Sequence, residues 1–268
     1  MGMREPPLGG REELTAFFLL AYALSWSVWL VAIALQVLVP DGPVVALALV
    51  GAFGPSVAAL AVTRRAGRPL SVRRAWRSRP RGPIPVRVYA TVLLGPVAAG
   101  LVVLPVVIAM DTSSVTGPVF PWPGLVPAFV LGAPLGQEPG WRGFALPRLQ
   151  TLVSPAWAGV VLGVIWALWH VPLLLIGPSW QSRLPLGWFA LWILTLSVLF
   201  AWAYNASGGR VLVAVLGHAA VNFTAAVLFP WLLAPQADTR PFAVFTVVLA
   251  LAAGALLARD RRLGARAA

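Results

Sequence analysis

The sequence has no cysteine and no lysine, and among 268 residues it holds only eight acidic side chains and two histidines. The lack of cysteine excludes disulfides, thiol redox chemistry and a cysteine nucleophile together. Charged residues make up only 10% of the chain, against 59% hydrophobic residues and a mean hydropathy of +0.85. A soluble domain of this length does not need that much apolar surface. With no internal repeat, low-complexity tract or appended soluble region in view, positions 1–268 read as one membrane domain.

What is present is a series of apolar stretches. Measured against the roughly 17 to 25 residues that cross a bilayer, they predict an all-α, polytopic transmembrane bundle of about eight spans, near 15–39, 44–63, 88–110, 125–142, 156–176, 186–206, 211–233 and 241–258. The first run is long, follows Glu12 and Glu13, and has no small-residue cleavage site before the next span, so it is expected to stay attached. The net charge of +12 would suggest nucleic acid in a soluble protein, but the arginines follow the membrane instead. An N-in/C-in arrangement puts 18 of the 20 arginines on the cytoplasmic side and leaves Arg183 and Arg240 outside. The expected setting is therefore the cell membrane, with the lipid bilayer as a partner and no nucleic acid.

The basic run at 64–87 reads as an orientation signal that touches anionic headgroups. Proline and glycine mark an outer turn at 40–43 and an outer loop at 111–124. Of the 13 tryptophans, Trp122, Trp180 and Trp188 fit an outer interfacial belt, while Trp141, Trp166 and Trp169 lie in or beside polar motifs, where they pack helices or wall a cavity.

Ionisable groups in the hydrocarbon region cost roughly 2.5 to 3.5 kcal/mol each even on lenient scales, so each one marks a candidate functional site. Seven of the eight acidic residues, Glu5, Glu12, Glu13, Asp41, Asp111, Asp238 and Asp260, fall at termini, loops or span edges, leaving Glu138 alone inside a span. It sits in the run GQEPGWRG at 136–143, four residues before Arg142, where the two can pair along one helix side. Pro139 and Gly140 predict an irregular backbone there, tolerated in a membrane only where it is buried in protein or lines a wet cavity. His170 closes the run WALWH, and His218 and Asn222 share a helix face by their spacing of four. Taken singly, each cluster also reads as helix packing or interhelical hydrogen bonding. Together they supply Glu, His, His and Asn from three spans and point to one shared polar pocket.

That pocket can work in two ways. A buried carboxylate and an imidazole can activate water while histidine and asparagine donate to the oxyanion of an amide. Two histidines and a carboxylate can instead hold zinc with a position left open for water, although no HExxH run is present. The metal-free version, with no cofactor, is preferred and zinc is the minor alternative. No paired intramembrane aspartate and no GxSxG elbow is present, which disfavours aspartyl and serine chemistry. Depths disagree slightly. At about 1.5 Å per residue, His218 lies roughly 10 Å and His170 roughly 20 Å from the cytoplasmic ends of their spans, so either span five begins deeper or 143–155 dips into the membrane.

The three clusters, in order, resemble the CPBP family of intramembrane glutamic endopeptidases, the CAAX prenyl protease and bacteriocin-processing group. Its EExxxR motif is similar to Gln137 through Arg142, its aromatic-xxx-His motif to Trp166 through His170, and its HxxxN motif to His218 through Asn222, over a core near 125–225. The resemblance implies an intramembrane endopeptidase acting on a membrane-associated protein or peptide. The motif-one carboxylate with His170 would activate water, His218 and Asn222 would form the oxyanion hole, and Arg142 would steady the carboxylate. The sequence departs from the family at Gln137, where the leading candidate for the catalytic base is replaced by a carboxamide that cannot take a proton. Either Glu138 supplies the base and Gln137 hydrogen-bonds the substrate, or the enzyme is weak, or the chain is a non-catalytic relative such as a membrane binding or self-immunity protein. A transporter is a weaker alternative, since no repeated halves are visible.

Overall fold

A computed structural model describes residues 10–38, 44–66, 83–109, 126–177, 181–228 and 239–265. The turn at 40–43, most of the basic run 64–87, the loop at 111–124, Trp122 and Trp180 lie outside the described residues. Every regular element described is helical: α1 (Gly10–Leu38), α2 (Val44–Gly51), α3 (Gly54–Arg65), α4 (Val86–Ile108), α5 (Ala133–Gly140), α6 (Leu146–Leu149), α7 (Pro155–Trp169), α8 (Leu186–Ala206), α9 (Val211–Phe223) and α10 (Arg240–Arg259).

The chain is an all-helical, multi-pass membrane protein. Among the described residues six stretches are helical, long and apolar enough to cross a bilayer: Arg11–Gln36, Val44–Arg65, Val86–Ile108, Pro155–Leu175, Leu186–Ala206 and Arg240–Arg259. Large apolar side chains such as Leu19, Leu94, Ile108 and Leu251 point outward from them, as helices solvated by lipid require. The described parts of all eight apolar stretches fall on helix; the fourth runs through α5 and its flanking π-helical turns, and the seventh contains the shorter apolar helix Val211–Val227. These two carry Glu138, Arg142, His218 and Asn222.

Local chemistry explains the fourth stretch. The irregularity predicted at Pro139 and Gly140 takes the form of π-helical turns, Ala128–Gly132 before α5 and Trp141–Ala145 after it, rather than a broken helix. Pro139 has no N–H to give the preceding turn, and a wider turn absorbs the lost hydrogen bond while backbone groups stay satisfied. Gly136 and Gly140, four apart on one face, let α5 press against the α2–α3 corner. A Cβ at Gly140 would lie 2.5 Å from the Pro55 backbone, and one at Gly136 would lie 2.9 Å from the Ala52 carbonyl oxygen. This close approach, of the small-xxx-small type, leaves Glu138 facing the opposite way, into the bundle.

Between α5 and α7, Ala145, Leu146 and Leu149 are buried and α6 packs against α1 and α7, while residues 151–154 are exposed. Ser154 caps α7 by accepting from Trp157 N at 3.4 Å, with Pro155 at the first helical position. At its other end α7 tightens into the 3₁₀ turn Val171–Leu175. Carbonyls left over there are taken by α1: Trp26 Nε1 donates to Trp169 O at 3.0 Å and Gln36 Nε2 to Leu175 O at 2.8 Å.

Candidate active site

The three polar clusters meet. Helix α5 lies between α3 and α9, and Glu138 Oε1 accepts from Arg142 Nη1 at 3.1 Å and from His218 Nδ1 at 2.8 Å. The pairing of Glu138 with Arg142 foreseen from their spacing is thus formed, and a histidine from 80 residues further along joins it. Both Glu138 and Arg142 are 0% exposed. The guanidinium carbon sits 4.5 Å from the centre of the Trp166 ring and 5.2 Å from that of Phe200, so the buried cation is held by a carboxylate and two aromatic faces. Glu138 Oε2 is sealed and has no hydrogen-bond partner among the described residues.

Trp166 is the hub of the site. Its indole Nε1 donates to Gln137 Oε1 at 3.0 Å, and its carbonyl oxygen accepts from His170 Nδ1 at 2.7 Å. Its ring centre lies 5.5 Å from those of both His170 and His218. Since a carbonyl can only accept, the proton of neutral His170 is on Nδ1 and the Nε2 lone pair is left as an acceptor. His218 is fixed in the same sense by the Glu138 carboxylate, so its Nε2 also turns away from the bond that holds the ring. Neither Nε2 is among the sealed, unpartnered atoms.

His218 and Asn222 share the buried face of α9, as their spacing predicts. Asn222 Nδ2 donates to Phe129 O at 2.9 Å, tying α9 to the first π-helical turn. The residues read from sequence as a pocket, Gln137, Glu138, Arg142, His170, His218 and Asn222, are all buried, and Gln137, Glu138, Arg142, His170 and His218 all gather on or beside Trp166. Among the described residues no group of three or more His, Asp or Glu is placed to hold a metal ion.

Some participants are not apparent in the sequence. Phe200 of α8 lies against His218, with ring centres 5.4 Å apart and planes 26° apart, yet nothing sets it apart from other apolar residues of its helix. The Phe129 carbonyl carries no side-chain signal at all. The close-packing role of Gly136 and Gly140 was likewise not singled out from the sequence, although their spacing of four is a GxxxG pair. Glu13, read as a span-edge carboxylate, is buried and pairs with Arg148 at 3.0 Å.

Residues 119–224 match the model of a family described as type II CAAX prenyl endopeptidase Rce1-like. CAAX prenyl protease 2 of Methanococcus maripaludis is 31% identical over 133 residues, covering 47% of this chain and 46% of that protein. The chain thus spans about half the length of the curated relative it matches. The matched region contains all six site residues.

Proposed function

We infer, from the match of residues 119–224 to the model of the type II CAAX prenyl endopeptidase Rce1-like family, that this membrane protein is an intramembrane endopeptidase hydrolysing a peptide bond at the site formed by Gln137, Glu138, His170, His218 and Asn222. The observation that carries this reading is the sealed contact of Glu138 Oε1 with His218 Nδ1 at 2.8 Å. A buried carboxylate that holds an imidazole by one nitrogen leaves the other aimed at a substrate. That arrangement serves acyl chemistry by orienting a proton donor or acceptor and stabilising charge on it.

In this reading Asn222, and His218 with both ring nitrogens protonated, donate to the oxyanion of the scissile carbonyl. Arg142, itself held against two aromatic faces, keeps Glu138 in place. Substrates are membrane-associated proteins or peptides, and prenylated and unmodified C-terminal peptides are both to be tried. The reading needs no metal.

The test is cleavage of quenched fluorescent peptides by the purified chain in detergent, with and without a zinc chelator, beside Glu138→Ala and His218→Ala. Chelator-resistant cleavage that both substitutions abolish supports the glutamate and histidine site. Chelator-sensitive cleavage would move the reading to a metallopeptidase. A second reading, a non-catalytic relative that binds a membrane protein or confers self-immunity, is favoured by Gln137. Silence in the native chain with cleavage appearing in Gln137→Glu would establish it.

A further inference from the structure

The groups around Trp166 differ in what can reach them. Glu138 is 0% exposed, its Oε1 already accepts two hydrogen bonds, and its Oε2 is sealed. Gln137, His170 and His218 keep 5%, 7% and 6% exposure. Water and a peptide carbonyl therefore meet two imidazoles and a carboxamide before they meet a carboxylate. Trp166 sets the polarity of two of these three groups. By accepting from His170 Nδ1 it leaves a lone pair on Nε2, and by donating to Gln137 Oε1 it leaves the Gln137 N–H groups as the free end of the amide.

On the peptidase reading above, we propose that His170 Nε2 takes the proton of the hydrolytic water, while Gln137, its amide locked by Trp166, donates to the scissile carbonyl, so that no carboxylate touches the water. In the first step the water O–H breaks, its proton passes to His170 Nε2, and the oxygen forms a bond to the carbonyl carbon. The carbonyl π electrons move to the oxygen, which accepts from Gln137, from Asn222 and from the Nε2–H of His218 in its doubly protonated form. In the second step the oxyanion re-forms the carbonyl, the C–N bond breaks, and His170 returns the proton to the leaving amine. The products are a carboxylic acid and an amine, with His170 restored. Glu138 acts through His218 and Trp166 through its two hydrogen bonds, so both are positioning residues.

This division of labour makes a prediction opposite in sign to that of a carboxylate base. A carboxylate at position 137 would face the developing oxyanion with negative charge and remove a donor. Peptide cleavage is measured for the native chain, Gln137→Glu, Trp166→Phe and His170→Ala, the last with added imidazole and a series of substituted imidazoles. The expected results are a loss of about 100-fold in kcat for Gln137→Glu, and a fall in kcat without a matching change in KM for Trp166→Phe. For His170→Ala, the loss is about 100- to 10,000-fold, reversed roughly tenfold or more by imidazoles in order of their basicity.

Rescue that depends on the basicity of the added amine cannot come from a structural role of His170. Should His170→Ala fail to fold, the sign of the Gln137→Glu effect still decides. Higher activity in Gln137→Glu than in a cleaving native chain, or a folded His170→Ala that no imidazole restores, would overturn the assignment and leave the peptidase reading standing. A native chain that cleaves nothing overturns both.

Discussion

Glu138–Arg142 and Glu13–Arg148 are both arginine–carboxylate pairs of about 3 Å, with the guanidinium 4.5 Å from Trp166 in one and 3.5 Å from Phe144 in the other. They differ in burial and in company. Both partners of the first are fully enclosed and a histidine shares the carboxylate. In the second the arginine side chain is 23% exposed, and it also donates to Phe144 O at 2.9 Å. The second pair ties the start of α1 to α6, and apart from its cation–aromatic contact it needs only to hold. The first costs the desolvation of a carboxylate and a guanidinium, and spends it on orienting His218. A buried pair is weak evidence for stability on its own account, so on the peptidase reading the expense marks the place where chemistry needs a charge.

The comparison can be broken most forcefully at Glu138. Glu138→Ala leaves Arg142 buried without its carboxylate, and is expected to lower stability by about 3 to 5 kcal/mol as well as abolishing cleavage. Thermal unfolding in detergent read beside the cleavage assay checks both. The double replacement Glu138→Leu with Arg142→Met should recover most of the stability and none of the activity. If the double variant cleaves peptide, the carboxylate has no part in the chemistry.

An intermediate effect is expected where α5 meets the α2–α3 corner. Gly140→Leu forces a side chain into space occupied by the Pro55 backbone at 2.5 Å, and should cost about 1 to 3 kcal/mol or more. The motif turn would be displaced, so melting temperature and cleavage fall together. A variant with native stability and no activity would show that the glycine serves the substrate rather than the packing.

The smallest effect is expected at the second pair. Glu13→Gln should lower stability by about 1 kcal/mol or less and leave kcat within about twofold of the native value. A loss of cleavage comparable to that of Glu138→Ala would erase the distinction between the two pairs and make the α1–α6 tie part of the working site.

Much of the architecture was legible because lipid leaves few choices. Backbone polar groups must be satisfied within each segment, so long apolar runs become helices, and the stretches at 186–206 and 241–258 coincide closely with Leu186–Ala206 and Arg240–Arg259. The same economy exposed the site, since Glu138, Arg142, His170, His218 and Asn222 are too costly in that setting to be incidental. The runs at 125–142 and 211–233 were harder to read. Both carry polar residues and π-helical turns, and turn width depends on which neighbour receives each carbonyl.

The sequence alone determined that this protein is a helical membrane bundle, that Glu138, Arg142, His170 and His218 lie in three motifs, and that position 137 bears a carboxamide. These follow from composition and spacing, which act locally along the chain. Only the tertiary structure decided that Glu138 is sealed, that Trp166 sets the direction of Gln137 and His170, and that Phe200 and the Phe129 carbonyl pack against or bond the motif residues. Those are properties of contacts between helices far apart in sequence. A hydrogen bond at 2.8 Å between residues 80 positions apart depends on how close two helices approach, and in this fold Gly136 and Gly140 set how deeply α5 sits.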